Sequence, residues 1–134
     1  MLPLKKILAI FAVMIASASV PIKAQVVPAD SVIDYITKSL DSANADSLTL
    51  FFNNRLELSL PDFSGISSRS QARLLLMQFF KTAKPSSFTV ISRSYDKNGY
   101  FIIGTMICST MDYRVSFLTK KQSGEQFIYQ LLIE

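Results

Sequence analysis

The stretch from residue 88 to residue 133 constrains the fold most, because it alternates strand and turn with no room for a helix. Residues 88–95, 100–109, 113–120 and 127–133 are rich in Val, Ile, Phe, Tyr and Thr, the types that fit a pleated, half-buried surface. Between them lie short polar breaks at 96–99, 109–112 and 121–125. The first break ends in Asn98-Gly99, a pair that tolerates the positive φ values of tight hairpins. Connections this short join antiparallel neighbours, so the spacing predicts a four-stranded meander.

The preceding residues must cover one face of that sheet. From Asp30 to Ala43, the residues Val32, Ile33, Ile36, Leu40 and Ala43 recur at the three-and-four spacing of a helix with one apolar side. Asp34, Lys38 and Asp41 fall on the other side. Asp46 is the expected N-cap of a short turn through Leu48, Phe51 and Phe52. Residues 55–60 alternate strictly and predict a strand with Leu56, Leu58 and Leu60 inward. Pro61 ends it, and 61–67 reads as loop. Ser68-x-x-Gln71 is a capping box that opens a second long helix. Its core positions are Ala72, Leu75, Leu76, Phe79, Phe80 and Ala83; Leu74 and Met77 widen the stripe, which predicts burial on more than one side. Pro85 stops it. Helices segregated on one face of a mostly antiparallel sheet make an α+β domain.

The N-terminus supplies an address. MLPLKK at 1–6 is a basic head, residues 7–20 are apolar or small, and PIKA at 21–24 leads into Gln25. That is the layout of a secretory signal peptide, and the apolar run falls short of the roughly 20 residues of a membrane-spanning helix. The expected division is a signal at 1–24 and one domain at 25–134, exported to the periplasm or the extracellular space, with no stable membrane anchor after cleavage. Cleavage is expected after Ala24, with Ala18 as the alternative. Of 14 basic residues, Lys5, Lys6 and Lys23 lie in the signal, which leaves 11 against 10 acidic ones, about +1 rather than +4. The remaining basic residues are scattered. Nucleic-acid binding, which needs a clustered basic stripe, is therefore not expected. A single cysteine, Cys108, excludes an intramolecular disulfide and reads as a small buried hydrophobe.

The chain holds no histidine, which removes Ser-His-Asp and Cys-His catalysis and histidine-based zinc sites. No glycine-rich phosphate loop is present. The carboxylates fall in turns or on polar faces: Glu57 between Leu56 and Leu58, Glu134 opposite Leu131 and Ile133, Asp62 after Pro61. No catalytic residue, metal or cofactor is expected.

The succession NADSL at 44–48, RLELSLP at 55–61, SQA at 70–72, FF at 79–80, PxxF at 85–88, IGT at 103–105, YRV at 113–115 and QLLIE at 130–134 resembles a family of small secreted bacterial proteins. That family is a domain of unknown function within the nuclear transport factor 2-like superfamily, the group of cystatin-like folds that includes the SnoaL and ketosteroid-isomerase branches. The resemblance covers nearly all of the chain after residue 24 and implies a cone, helices wrapped by a strongly curved sheet. It implies no activity.

Two surfaces remain to be weighed. By strand parity Tyr113 and Tyr129 fall with Val115, Phe117, Phe127 and Leu131, facing the helices. They read either as amphipathic core residues or, with Phe79, as the lining of a cone that takes a small apolar ligand. Residues 100–109 are apolar on both parities, with Ile102 and Met106 on one side and Phe101, Ile103 and Ile107 on the other. Leu118, Ile128 and Leu132 add to the outer side. An apolar patch there marks an association surface, and a homodimer through the open sheet face is the expected partner. The preferred reading is a non-catalytic exported domain that binds a protein or a small apolar ligand. The alternative is a small enzyme of the ketosteroid-isomerase or SnoaL type with Asp and Tyr as acid–base groups.

Overall fold

The computed structural model describes residues 29–134; the expected signal at 1–24 and both cleavage positions lie outside the described residues. Helix α1 (Ala29–Asp41) buries Ile33, Ile36 and Leu40 completely, as the apolar spacing requires. Each such side chain taken out of water contributes roughly 1.5–3 kcal/mol. A single turn, α2 (Ala45–Thr49), follows. Its cap is Asn44 and not Asp46: the Asn44 side-chain oxygen accepts the Ser47 N–H at 3.0 Å. Asp46 lies one residue inside the helix and pairs with Arg73 instead.

Strand β1 (Phe52–Leu60) turns through Pro61 and Asp62 into β2 (Phe63–Ser68). The second strand replaces the loop expected at 61–67. Its residues, FSGISS, carry little strand signal of their own; the backbone of β1 recruits them, in register from Leu60 opposite Phe63 to Arg55 opposite Ser68. Helix α3 (Arg69–Ala83) starts at the expected cap, with Ser68 Oγ accepting the Gln71 N–H at 3.2 Å. Ala72, Leu76, Phe80 and Ala83 are buried, but Leu74 and Met77 are 60% and 44% exposed, so α3 is covered on one side only. The helix ends where Lys84 turns left-handed at φ 51° and returns its N–H to the Phe80 carbonyl at 2.9 Å.

The meander follows as β3 (Pro85–Tyr95), β4 (Tyr100–Cys108), β5 (Tyr113–Gln122) and β6 (Glu125–Ile133). Asp96 Oδ1 accepts the N–H groups of Asn98 and Gly99 and so closes the β3–β4 turn. The six strands lie in the order β2-β1-β6-β5-β4-β3, antiparallel except for the β1–β6 pair. Helix α1 packs across β3 and β6, and α3 across β1 and β2. The fold is α+β, with the helices on one face of an open six-stranded sheet.

The strand register slips within β6, as it also does in β3. Leu118 pairs with Gln130, but Thr119 pairs with Ile128, which leaves Tyr129 as an extra residue in β6. The parallel register with β1 slips at the same level, between Phe52 opposite Ile128 and Glu57 opposite Gln130. A bulge of this kind bends the strand and reverses which parity faces inward. Gln126 and Ile128 therefore point into the core before the bulge, and Leu131 and Ile133 do so after it. The inward Gln126 is satisfied: its Oε1 accepts from Thr119 Oγ1 at 2.8 Å, and that oxygen accepts the Tyr100 N–H at 3.0 Å.

Candidate functional site

Three elements meet around an open cavity of about 300 Å3 at one end of the helix-covered face. The β1–β2 turn contributes Leu60, Pro61, Asp62 and Phe63. Helix α3 contributes one stripe: Leu75, Gln78, Phe79, Thr82 and Ala83. The spacing of that stripe sets those side chains on one line of the helix surface. Thr110 and Tyr113, at the start of β5, close the third side. This wall is anchored by Ser109, whose N–H and hydroxyl both donate to the Ala83 carbonyl at 3.2 Å, tying the end of α3 to the end of β4.

Phe79 and Tyr113 meet edge to face, with ring centroids 5.3 Å apart and planes at 77°. That is a favoured aromatic geometry, worth about 0.5–1.5 kcal/mol beyond burial. Among the described residues nothing hydrogen-bonds the Tyr113 hydroxyl. Thr82 Oγ1 donates to the Gln78 carbonyl at 3.2 Å and has lone pairs left to accept. The carboxylate of Asp62 stands exposed at the rim.

Tyr129, the third residue expected here, is elsewhere. The β6 bulge turns its side chain to the outer face of the sheet, where its hydroxyl accepts from Gln122 Nε2 and Lys120 Nζ sits 4.6 Å above its ring. It lines a separate depression with Arg55, Glu57, Ile66 and Lys120. Phe127 follows Tyr129 to that face.

The same bulge corrects the outer patch. Ile128, expected on the open face with Leu118 and Leu132, is fully buried in the core. Leu118 and Leu132 are half-buried on the outer side, and Phe101 and Ile107 of β4 are 41% and 44% exposed. Phe101 sits directly opposite Leu118. Ser116 separates Ile103 from Leu132, and a hydrogen bond of 3.0 Å between Gln130 and Glu57 borders the patch on the β1 side.

Sequence reasoning missed the contribution of the β1–β2 turn. Phe63 and Asp62 were assigned to a loop, and only the pairing of β2 with β1 carries them to the end of α3. The i, i+3, i+4, i+7 run from Leu75 to Thr82 was a usable signal, since its polar members Gln78 and Thr82 interrupt an otherwise apolar line. Cys108, at the end of β4, is buried. Burial first, and the nearby Asp112 charge second, push its thiol above the ordinary value of 9.0. Among the described residues no cluster of three carboxylates or cysteines could hold a metal ion.

Helices on one face of a mostly antiparallel six-stranded sheet match the nuclear transport factor 2-like fold class. Within that class, the chain belongs to the family described as "Domain of unknown function (DUF4783)", whose model matches residues 33–134. The structure is similar to that of a family member from Bacteroides ovatus ATCC 8483, with TM-score 0.71 and 22% identity over 82% of this chain and 96% of that one. A member from Bacteroides uniformis ATCC 8492 superposes with TM-score 0.74 at 20% identity, covering 77% of this chain and 95% of the other. An NTF2-like protein of unknown function from Cytophaga hutchinsonii matches with TM-score 0.60 at 13% identity, over 84% and 93%. No curated protein matches the chain in sequence.

Proposed function

We propose that this chain is an exported, non-catalytic binding domain that holds a small, largely apolar ligand in the cavity between α3 and the β1–β2 turn. The observation that carries the reading is the open, aromatic-walled space beside Phe79 and Tyr113. Ligand cavities start near this volume, and a mostly apolar lining with a few convergent polar groups is their usual chemistry. Asp62 and Tyr113 share the cavity, which is the feature an acid–base enzyme would use. The carboxylate, however, lies in solvent at the rim, so a bound molecule meets it as surface charge rather than as a sequestered acid.

Filling the space tests the reading. Thr82→Trp on α3 projects a large side chain into the cavity from an exposed helix position. Its expected effect is loss of ligand binding with the melting temperature kept within a few degrees, measured by calorimetry and thermal unfolding. Binding undiminished in Thr82→Trp rules the cavity out.

A second reading has its own observation, the exposed Phe101 and Ile107 beside Leu118 and Leu132. These residues support a homodimer through the outer sheet face. Light scattering at high protein concentration tests it: the expected mass is that of two chains, and Leu118→Asp returns it to one. A monomeric mass for the unaltered protein removes this reading and leaves the cavity untouched.

A further inference from the structure

The charge distribution around the cavity narrows the class of ligand, on the footing that the cavity is a binding site. Among the described residues, Asp62 is the one formally charged member of its wall, and no lysine or arginine contributes. A second carboxylate, Asp112, stands on the same β4–β5 turn between the lining residues Thr110 and Tyr113, and its field reaches Cys108. The nearest basic groups face elsewhere. Lys81 and Lys84 line a different depression beside Asp46. Arg114 alternates with Tyr113 along β5 and stands exposed on the other face of the sheet. The mouth is therefore negative on balance.

Among the neutral groups, the aromatic rings act in the same direction. Three aromatic side chains, Phe63, Phe79 and Tyr113, line the space, and the faces of such rings carry negative charge density that attracts cations. The Thr82 hydroxyl donates to the Gln78 carbonyl and offers its lone pairs as acceptors, while Gln78, Thr110 and the Tyr113 hydroxyl can each donate or accept and so carry no charge preference. The carboxylate and the aromatic rings favour a positively charged head group over a fatty acid or a phosphate ester, whose anion would meet Asp62 with no lysine or arginine of the described wall to offset it. Leu60, Leu75 and Ala83 supply an apolar floor for the rest of the molecule.

We infer that the cavity takes an organic ammonium compound, an amine-bearing amphiphile of about one ring and a short alkyl arm, with its cationic head between Asp62 and the aromatic side chains. An apolar body enters the cavity, and the head remains near enough to the rim to keep part of its hydration, which lowers the desolvation cost of the charge.

Three probes with one body and different heads test this: 4-phenylbutylamine, 4-phenylbutanol and 4-phenylbutyrate, titrated into protein comprising residues 25–134 by calorimetry near pH 7 and at low salt. The expected order is amine, alcohol, carboxylate, with the amine about tenfold tighter than the alcohol, a preference that shrinks as salt screens the rim charge. Asp62→Asn is expected to bring the amine and alcohol affinities to within about twofold of each other. Alcohol or carboxylate binding as tightly as amine overturns the charge inference and leaves the cavity reading standing. An amine preference that survives Asp62→Asn intact also overturns it, because the assigned counter-charge is then idle. Binding of none of the three overturns the cavity reading together with it.

Discussion

The cavity wall around Tyr113 and the outer surface around Tyr129 employ the same residue type for opposite ends. Tyr129 has both of its resources taken: Gln122 holds the hydroxyl, and Lys120 sits over the ring. Tyr113 lines the cavity and, among the described residues, makes the edge-to-face contact with Phe79 and no hydrogen bond through its hydroxyl. The contrast shows how a structural tyrosine differs from one available to a ligand. Its source is one inserted residue in β6, which sends Ile128 inward and Tyr129 outward.

The largest expected effect breaks or upholds that bulge directly. Ile128→Ala should destabilise the protein by about 2–5 kcal/mol in denaturant unfolding, the range for truncating a buried aliphatic side chain. Leu132→Ala, on the outer face, should cost under about 1 kcal/mol. Equal costs would mean that β6 runs without the bulge. Next in size is Gly104→Ala on β4. An added Cβ would lie 2.5 Å from both the Phe88 ring and the Thr89 carbonyl oxygen, so overpacking of about 1–3 kcal/mol is expected in the same assay. Smaller again is the pairwise term at the cavity. A double-mutant cycle with Phe79→Leu and Tyr113→Leu should show coupling of about 0.5–1.5 kcal/mol, and one with Phe79→Leu and Tyr129→Leu should show none.

The mildest effect concerns pH. The folded state raises the Cys108 thiol above 9.0, so it holds that proton more tightly than the unfolded chain does. The stability tied to this proton is complete below about pH 9 and is lost as pH rises through the folded value. Alkylation of the native protein should accordingly be slow at neutral pH. Asp112→Asn should quicken it only slightly, since burial, the larger cause, remains.

The elements were legible in the sequence wherever local signals carried them. The spacing of Ile33, Ile36 and Leu40, the Ser68 cap and the Asn98-Gly99 turn depend on neighbours within a few residues. What escaped depends on long-range pairing. The FSGISS segment carries little strand preference beyond Phe63 and Ile66, and pairing with β1 makes it a strand. Residues 127–133 are apolar on both parities, as are residues 100–109, yet the two patterns have different causes. In β4 the alternation is unbroken and the second apolar row is exposed; in β6 the row changes sides at Tyr129. Parity counting cannot distinguish these cases, because a bulge appears only in the register with a partner strand. Phe79 and Tyr113 were placed together from α3 and β5, where no bulge intervenes. Asp62 and Phe63 joined them only through the β1–β2 hairpin.

The most direct measurement of the central claim, that the cavity at the end of α3 is where this domain binds, is a chemical-shift map. Protein comprising residues 25–134, labelled uniformly, is titrated with 4-phenylbutylamine. The expected result is perturbation confined to Phe63, Leu75, Phe79, Thr110 and Tyr113, with Tyr129 and Leu132 unmoved. Shifts centred on Tyr129, Leu118 and Lys120, or no shifts at all, would contradict the claim.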